Sequence, residues 1–548
     1  MWVTADCVDL LYSRPVIDNV VDLTSPVPHR KVSGHFDGTE KRFNFYFPPK
    51  GQWEGRFFHL VYPTQDEIAT DEAVSFGVAS GAYTVQTNGG GGYRVDAAAA
   101  KFAKAVAASY YISPEPIHGY LYGGSGGSFQ TIGAIENCAG VWHGAVPFIP
   151  GVPTSIPNNF FVRAMARFVL EDKAPQIADA VRPGGSGDPY AGLNNVERAV
   201  LLEVTRMGVP LRAWEDYKYL LGLHDPQGLL GFASVVQGLD PTYADDFWTK
   251  PGYLGTEQSA LGDRFRAAAK PNNRWSLALA SYHRHQVPKR PGFYAWDHLR
   301  GPDGRPIYPQ RPIEIGPLIS RGAAGGGTHT GAIQGKIIVA ANLLDVDAYP
   351  WHADWYSTRV RESLGQQRYD DNFRLWYNDN ADHIGPRTAR LVQSEGMLQQ
   401  ALRDLTAWVE RGIAPARSTR YGLVDSQVRV PDDAAGRQGV QPVVELTVNG
   451  AAWIDVAAGQ TVTFVAKVQV PPAAGKVVAT EWDFDGTGNF TAWPFGGPRP
   501  MVEVSVPFTY TTPGLYFPAL RATSQREGDP STPFARVQNL GRVRVVVH

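Results

Sequence analysis

The chain has little cysteine, no long apolar run and almost no net charge. Its 548 residues include two cysteines, Cys7 and Cys138, which are too few for a disulfide framework and lack the spacing of metal ligands. No stretch of about 18 apolar residues occurs, so we expect no membrane span. The formal net charge of −2 gives no electrostatic footprint for nucleic acid, and we expect no nucleic-acid partner.

The first residues, MWVTADCVDLLYSR, lack the basic region and apolar stretch of a signal peptide, so none is expected within this sequence. Apolar and aromatic residues are abundant, with 43% of the chain hydrophobic and 14 tryptophans. This composition predicts a well-packed globular protein, and the length predicts about two to four domains.

A serine flanked by glycines is the most informative motif. The sequence GGSGG at 123–127 places Ser125 in a G-x-S-x-G pattern, the nucleophile elbow, in which a serine occupies a strained turn between a strand and a helix. Residues 120–122 read as the strand, and 131–135 carry apolar residues at helical spacing. A flexible Gly-Ser linker is the alternative, but it does not account for these flanks.

Strands and helices alternate around this motif and predict a parallel sheet with helices on both faces. Strands are predicted from alternating or continuous apolar residues at 29–48, 53–63, 81–92, 140–151, 335–345 and 373–378. The continuous apolar run at 57–62 favours a central strand that is buried on both faces. Residues 96–111 are predicted as a crossover helix with Asp96 as its N-cap.

A long insertion interrupts the alternation between residues 152 and 334. It mixes helical patterns such as NNVERAVLLEVTRMG with loops rich in proline, glycine and aromatic residues. We expect it to form a lid that shapes the pocket and excludes water from the serine. An independent helical domain is the alternative.

The acid and base that would activate Ser125 are predicted from chain order, which in this kind of site is serine, carboxylate, histidine. Asp345 ends the strand at 335–345, and His383 follows the next strand. Because the carboxyl ends of parallel strands meet at one edge of a sheet, we expect all three groups to lie close together.

Other acids and histidines compete for these roles. Asp347 and Asp354 lie further beyond the strand, and His352 precedes the last strand, so they are the weaker candidates. His283 and His285 form a His-x-His pair in the insertion, which is a weak metal signal without a third ligand. We expect no metal and no cofactor.

An oxyanion hole requires main-chain N–H groups beside the nucleophile. The amide of Gly126, directly after the serine, is one predicted donor. The loop after the strand at 53–63 supplies the second, with Thr64 or Gln65 as the candidate, because Pro63 has no N–H. The glycine loop at 89–92 is the rival, and the sequence leaves the choice open.

A family resemblance rests on four blocks, which are WEGRFF at 53–58, the GGSGG elbow, GKIIVAANLLD at 335–345 and AWVERGIAP at 407–415. These blocks are similar to the tannase and feruloyl esterase family of serine hydrolases. The resemblance implies an early core strand, the nucleophile, the acid strand and the terminal helix of an α/β-hydrolase fold. That agrees with the roles given above to Ser125, Asp345 and His383.

The chain also departs from the pattern of that family. Family members commonly carry cysteines, joined by a disulfide, beside the serine and the histidine, whereas this chain has Gly124 with Gly126 and Asp382 with Ile384. The glycines that follow the early strand are replaced by PTQDE at 63–67. The acidic cluster that holds calcium in the lid of family members has no clear counterpart, and phenolic-ester specificity is not carried over.

After a connector at 430–441, short alternating segments predict a separate β-sandwich at 442–548. EWDFDGTGNF at 481–490 and FTYTTPGLYFPALRAT at 508–523 resemble a PKD-like domain of the immunoglobulin type. Such modules accompany secreted enzymes, so the resemblance implies a secreted or periplasmic protein. Asp483 and Asp485 are a weak calcium signal, since acidic residues in glycine-rich turns more often fix the turn.

The sequence therefore predicts an α/β-hydrolase domain at 1–430, with its lid insertion, followed by the sandwich. The expected reaction is hydrolysis of a carboxylic ester, on a small molecule or a polymer, through an acyl-enzyme with Ser125, Asp345 and His383 as the triad. Amide hydrolysis and acyl transfer use the same triad and stay open. A binding or adhesion protein on a decayed hydrolase core is the non-enzymatic alternative.

Overall fold

The computed structural model describes residues 1–225, 227–383 and 385–548. The central sheet is built from nine strands. They are β1 (Pro15–Leu23), β2 (His29–Phe36), β3 (Arg42–Phe47), β4 (Arg56–Leu60), β5 (Ala82–Thr87), β6 (His118–Ser125), β7 (Gly144–Pro150), β8 (Lys336–Asn342) and β9 (Phe373–Asn378).

The order of these strands across the sheet is β9-β8-β7-β6-β4-β5-β3-β2-β1. Strands β4 to β9 are parallel, while β1, β2 and β3 pair antiparallel at the other edge. A mostly parallel sheet that begins with antiparallel strands, exchanges β4 with β5 and turns into a helix after a serine is the α/β-hydrolase topology. The predicted fold class is confirmed.

Helices cover both faces of this sheet and fill the insertion. They are α1 (Asp71–Ala79), α2 (Gly92–Tyr111), α3 (Gly126–Asn137), α4 (Asn158–Leu170), α5 (Ala174–Val181), α6 (Asn195–Met207), α7 (Tyr217–Leu220), α8 (Ala233–Leu239), α9 (Tyr243–Thr249), α10 (Ala260–Ala268), α11 (Arg274–Leu279), α12 (Ile315–Ala324), α13 (Trp351–Leu364), α14 (Gln366–Asn372), α15 (Glu395–Arg411) and α16 (Ala434–Arg437). Among the described residues, no helix is both long enough and apolar enough to cross a bilayer.

The helix predicted to begin after Asp96 begins earlier, and Asp96 is not its N-cap. Helix α2 starts at Gly92, inside the glycine loop, because Tyr93 and Val95 are buried against the core in its first turn. Asp96 is consequently buried within the helix, where its carboxylate accepts hydrogen bonds from Thr87 Oγ1 at 2.8 Å and Gln130 Nε2 at 3.0 Å. Tertiary packing has overridden the local capping signal.

The insertion between β7 and β8 carries helices α4 to α12 and shares its core with the sheet. Buried side chains of the insertion, such as Phe161, Trp214 and Trp296, belong to the same hydrophobic cluster as Phe57 of the sheet. The insertion is therefore packed onto the central sheet through a shared hydrophobic core.

The C-terminal sandwich is all β. Its strands are β10 (Val443–Val448), β11 (Trp453–Val456), β12 (Thr461–Gln469), β13 (Lys476–Asp483), β14 (Thr491–Ala492), β15 (Met501–Thr509), β16 (Gly514–Tyr516), β17 (Ala519–Gln525), β18 (Val537–Arg542) and β19 (Arg544–Val547). Buried and exposed residues alternate along β12 and β15, as expected for strands with one face in a core. Short ladders elsewhere join Val3–Thr4 to Cys138–Ala139 and Gly422–Val424 to Gln427–Arg429.

Candidate active site

Ser125 lies at the sharp turn between β6 and α3. Its backbone has φ 52° and ψ −118°, a conformation that a non-glycine residue adopts only when the surrounding structure enforces it. A Cβ atom on Gly123 would lie 2.5 Å from the carbonyl oxygen of Val61, and one on Gly127 would lie 2.3 Å from the same oxygen. Glycine at both positions therefore allows the turn to pack directly against the chain that follows β4.

His383 lies between Ser125 and Asp345 and contacts both. Its Nε2 is 2.9 Å from Ser125 Oγ, and its Nδ1 is 2.8 Å from Asp345 Oδ2. The other carboxylate oxygen of Asp345 accepts hydrogen bonds from the N–H groups of Asp347, at 2.8 Å, and Ala348, at 2.7 Å. The structure thus brings the three predicted residues together from the ends of β6, β8 and β9. Ile384, which follows the histidine, lies outside the described residues.

The contact with Asp345 decides which ring nitrogen of His383 carries the proton, because a carboxylate only accepts hydrogen bonds. The Nδ1–H of His383 donates to Asp345, so Nε2 of the neutral ring is free to accept the hydroxyl proton of Ser125. Burial opposes a charge on the ring, but the charge and hydrogen bond of Asp345, together with Asp347 and Asp382, raise the pKa of His383 from 6.5 to about 9. His383 is therefore a stronger base than a free imidazole.

The competing acids are engaged elsewhere. Asp347 accepts hydrogen bonds from Arg163 and from the hydroxyl of Tyr219, both in the insertion. Burial raises the pKa of Asp347, but the charges of Arg163, His383 and Arg387 and the hydrogen bond from Tyr219 together hold that pKa below its ordinary value. Asp354 lies within α13 and accepts a hydrogen bond from Tyr421 at 2.6 Å. The geometry thus leaves Asp345 as the carboxylate beside His383.

The competing histidines are packing residues. His352 is completely buried in α13, where burial lowers its pKa to about 3. His283 donates from Nε2 to Glu203 at 2.8 Å, and His285 donates from Nδ1 to the carbonyl oxygen of Pro309 at 2.7 Å. Each of these contacts lies inside the insertion, so the His-x-His pair does not point to a metal site.

The two candidate loops for the second oxyanion donor lie against each other beside the elbow. A Cβ atom on Gly126 would lie 3.4 Å from the Pro63 ring, and one on Gly89 would lie 2.2 Å from the Pro63 carbonyl oxygen. The amide of Gln65 already donates a hydrogen bond to the carbonyl oxygen of Tyr62 at 3.4 Å, which makes it the weaker candidate for an oxyanion donor. Among the described residues, the amides of Gly126 and Thr64 have no hydrogen-bond acceptor.

Sequence reasoning missed the residues that hold the acid loop and the elbow. Arg163 of α4 is 3% exposed, and its guanidinium joins Asp347 to the carbonyl oxygens of Leu220 and Tyr219. An arginine within the apolar stretch NFFVRAMARF was a usable signal, because a buried cation requires a partner. Ser128 donates to the carbonyl oxygen of Ser125, a local contact that leaves no mark on the sequence pattern.

Asp345, Asp347 and His383 also have the spacing of a metal-ligand set, with their ligand atoms within 4.8 Å of one another. Both ring nitrogens of His383 and both carboxylate oxygens of Asp345 are already hydrogen-bonded within the site. This arrangement fits the orientation of an imidazole better than the binding of an ion. In the sandwich, the carboxylate of Asp483 is likewise used, since it accepts from the amides of Gly486 at 2.9 Å and Gly488 at 2.6 Å and fixes their turn.

A comparison with protein families finds a match within the C-terminal sandwich. The PKD domain model matches residues 445–532, so the predicted PKD-like module is confirmed. No curated protein matches the chain.

Solved structures similar to the chain include three enzymes from Aspergillus. An esterase from Aspergillus oryzae matches with 14% identity and a TM-score of 0.38, covering 80% of this chain and 95% of that one. Tannin acyl hydrolase from Aspergillus niger matches with 12% identity, a TM-score of 0.36, and coverage of 76% and 85%. Feruloyl esterase B from Aspergillus oryzae matches with 12% identity, a TM-score of 0.37, and coverage of 76% and 91%. The tannase and feruloyl esterase enzymes that the sequence resembles are thus among the matching structures, while the fold assignment itself rests on the strand order.

Proposed function

We propose that the chain is a serine hydrolase that cleaves a carboxylic ester through an acyl-enzyme. The observation that carries this proposal is the continuous hydrogen-bonded series from Asp345 through His383 to Ser125, in which the imidazole is oriented toward a strained, glycine-flanked serine. A serine hydroxyl becomes an effective nucleophile only when a positioned base removes its proton.

In the acylation step, Nε2 of His383 takes the hydroxyl proton while Ser125 Oγ bonds to the ester carbonyl carbon. The carbonyl oxygen becomes an oxyanion, which the amides of Gly126 and Thr64 stabilise by hydrogen bonding. As the carbon–oxygen bond to the alcohol breaks, His383 passes its proton to the departing oxygen. Asp345 keeps the imidazolium oriented and stabilises its charge.

In the deacylation step, water replaces the alcohol. His383 accepts a proton from the water as its oxygen bonds to the acyl carbon, and then returns that proton to Ser125 Oγ as the acid leaves. The serine is regenerated, and the net reaction consumes one ester and one water to give an acid and an alcohol.

We also propose that the insertion acts as the lid of this site. Its helix α4 is tied to the loop that carries the acid, since Arg163 pairs with Asp347 and Asn159 Nδ2 donates to the Asp347 carbonyl oxygen at 2.8 Å. The Tyr349 hydroxyl returns a hydrogen bond to the Asn159 carbonyl oxygen at 2.9 Å. A cover fixed to the acid loop in this way shapes the pocket next to the serine.

Hydrolysis of short p-nitrophenyl esters tests the proposal. Wild type should release p-nitrophenol, and Ser125→Ala should reduce kcat by several orders of magnitude. Ser505→Ala, on an exposed position of the sandwich, is the matched control and should retain full activity. A p-nitroanilide with the same acyl group, assayed in parallel, separates ester from amide hydrolysis. Equal rates for Ser125→Ala and wild type would contradict the proposal.

A further inference from the structure

The loop that carries His383 lies between the sheet and the C-terminal sandwich. It leaves β9 after Asn378 and ends at α15, which begins at Glu395. On the sheet side, the amide of Leu344 donates to the carbonyl oxygen of Ala381 at 3.0 Å, beside the acid at position 345. The sheet therefore fixes one side of the segment that leads to the histidine.

The sandwich contacts the opposite side of this segment through Asn380. The residue has φ 55° and is 6% exposed. Its Nδ2 donates to Asn539 Oδ1 at 2.8 Å and to the carbonyl oxygen of Leu540 at 3.1 Å, both on β18. Asn539 is itself held by a hydrogen bond from its Nδ2 to the carbonyl oxygen of Pro442 at 2.7 Å. A buried amide that spans two domains fixes the relative position of their backbones.

Gln441, the last residue of the connector before the sandwich, makes a second set of contacts to the same segment. Its Oε1 accepts from the amide of Asp379 at 2.7 Å. Its Nε2 donates to Asn378 Oδ1 at 2.6 Å and to the carbonyl oxygens of Asp379 and Gln538 at 2.9 Å each. One buried side chain thus ties the end of β9 to β18 immediately before the histidine loop.

Apolar contacts close the space between these polar ones. Ala381, Val392 and Leu540 form a separate buried cluster that joins both ends of the histidine loop to β18. The amide of Val392 donates to the carbonyl oxygen of Asn380 at 2.8 Å, which brings the two ends of the loop together. The loop is therefore closed at its base, against the sandwich.

The rest of the domain junction is equally close. A Cβ atom on Gly396, at the start of α15, would lie 1.9 Å from the carbonyl oxygen of Arg536, so only glycine fits there. Arg542 pairs with Glu215 of the insertion at 2.5 Å, and Arg526 pairs with Asp404 of α15. These contacts pack the sandwich directly against the hydrolase core, unlike a module on a flexible spacer.

We propose that the C-terminal sandwich is a structural part of the catalytic centre, and that Asn380, Gln441 and Asn539 are positioning residues that hold His383 in reach of Ser125. This inference rests on the proposed hydrolase function. Asn380 precedes the histidine by three residues, so a change in its position is transmitted along a short length of chain. A displacement of about 1 Å in a reacting group lowers rates by roughly 100-fold.

The test compares two substitutions of the same type. Asn380→Gly removes the side-chain contacts to β18 but keeps a residue that tolerates the left-handed backbone. Asn449→Gly, at an exposed position of the sandwich with φ 46°, makes the same change away from the active site. Gln441→Met is a second variant, in which a side chain of similar size replaces glutamine and all polar contacts of the Gln441 side chain are lost.

We expect Asn380→Gly and Gln441→Met to lower kcat on a p-nitrophenyl ester by roughly 10- to 100-fold, with KM within about twofold of wild type. The rate of serine labelling by a fluorophosphonate should fall in parallel, while Asn449→Gly should match wild type. Calorimetry should show a folded protein for each variant. If these side chains only stabilised the fold, the substitutions would change the melting temperature without lowering kcat selectively over KM.

Two outcomes separate the failure of this inference from the failure of the proposed function. If wild type is labelled and Asn380→Gly and Gln441→Met react at the wild-type rate, the sandwich does not position His383 and acts as an independent module. If wild type itself neither hydrolyses the ester nor reacts with the fluorophosphonate, the proposed hydrolase function fails, and the positioning role fails with it.

Discussion

The Nδ1 atom of His383 lies 2.8 Å from Oδ2 of Asp345, a carboxylate that is completely buried. The second carboxylate oxygen is fixed by two main-chain amides, so the direction of the imidazole is set by the backbone of the acid loop. The ring is thereby held in the tautomer that leaves Nε2 free for Ser125.

Replacing Asp345 should weaken His383 as a base while leaving its imidazole ring in place. In Asp345→Asn, the amide group would favour the wrong tautomer of His383, and we expect kcat to fall by about 10³- to 10⁴-fold. Steady-state kinetics on an activated ester measures the effect. Asp354→Asn, which changes an acid of α13 away from the serine, should stay near wild type. A loss smaller than about tenfold for Asp345→Asn would contradict the assigned role.

The pH dependence of activity should be displaced to alkaline pH. The base must be neutral to accept a proton, and nearby carboxylates raise the pKa of His383 to about 9. We therefore expect kcat/KM to rise with pH through a midpoint well above 6.5.

Asp347 is one of the groups that raise this pKa, so Asp347→Asn should move the midpoint toward lower pH. Asp354→Asn removes the same charge from a carboxylate that is not among those groups and should leave the midpoint unchanged. A wild-type midpoint at or below 6.5 would show that the carboxylates do not stabilise the imidazolium.

The buried carboxylate of Asp96 should make stability depend on pH. Burial raises its pKa from 3.8 to about 7, although Thr87 and Gln130 donate to it. Because the folded state binds the proton more tightly than the unfolded state, this contribution to stability is complete below about pH 4 and is lost as the pH rises through 7.

Asp96→Asn is neutral at every pH, and the Oε1 of Gln130, which has no partner among the described residues, can accept from the new amide. We expect the variant to be more stable than wild type above pH 7, by up to about 3 to 4 kcal/mol, and close to wild type at pH 4. Calorimetry at the two pH values, with the exposed Asp245→Asn as the control, measures the difference. An equal change in stability at both pH values would show that the substitution acts through packing and not through the charge of Asp96.

The ion pair between Arg163 and Asp347, which ties the insertion to the loop after β8, should contribute strongly to stability. Arg163 is 3% exposed and pairs with Asp347, whose side chain is 10% exposed, and removing one partner of such a largely buried pair costs about 3 to 5 kcal/mol. Arg167 lies one turn later on α4, is 30% exposed and pairs with Glu171 at 3.4 Å. Thermal unfolding of Arg163→Met should therefore occur at a clearly lower temperature than that of Arg167→Met. Equal melting temperatures would show that the insertion is held by its apolar core alone.

Local sequence signals were sufficient for strands β2 to β9 and the elbow, but they missed the edge strand β1, because almost all of its residues are exposed and carry no one-sided apolar pattern. The glycines around Ser125 and the strand that ends before Asp345 have steric and periodic signatures, and the structure brings these two residues together with His383. The predicted start of α2 was wrong because burial of Tyr93 outweighs the capping tendency of Asp96. The contacts of Asn380 with β18 could not be predicted, since they join residues separated by 159 positions and carry no repeat or spacing.

The most direct test of the account is intact-mass analysis after treatment with a fluorophosphonate probe. Wild type should gain the mass of one adduct, because His383 activates a single serine, and Ser125→Ala and His383→Ala should gain none under the same conditions. An unmodified, correctly folded wild type, or an adduct that persists in Ser125→Ala, would contradict the central claim that Ser125 is an activated nucleophile.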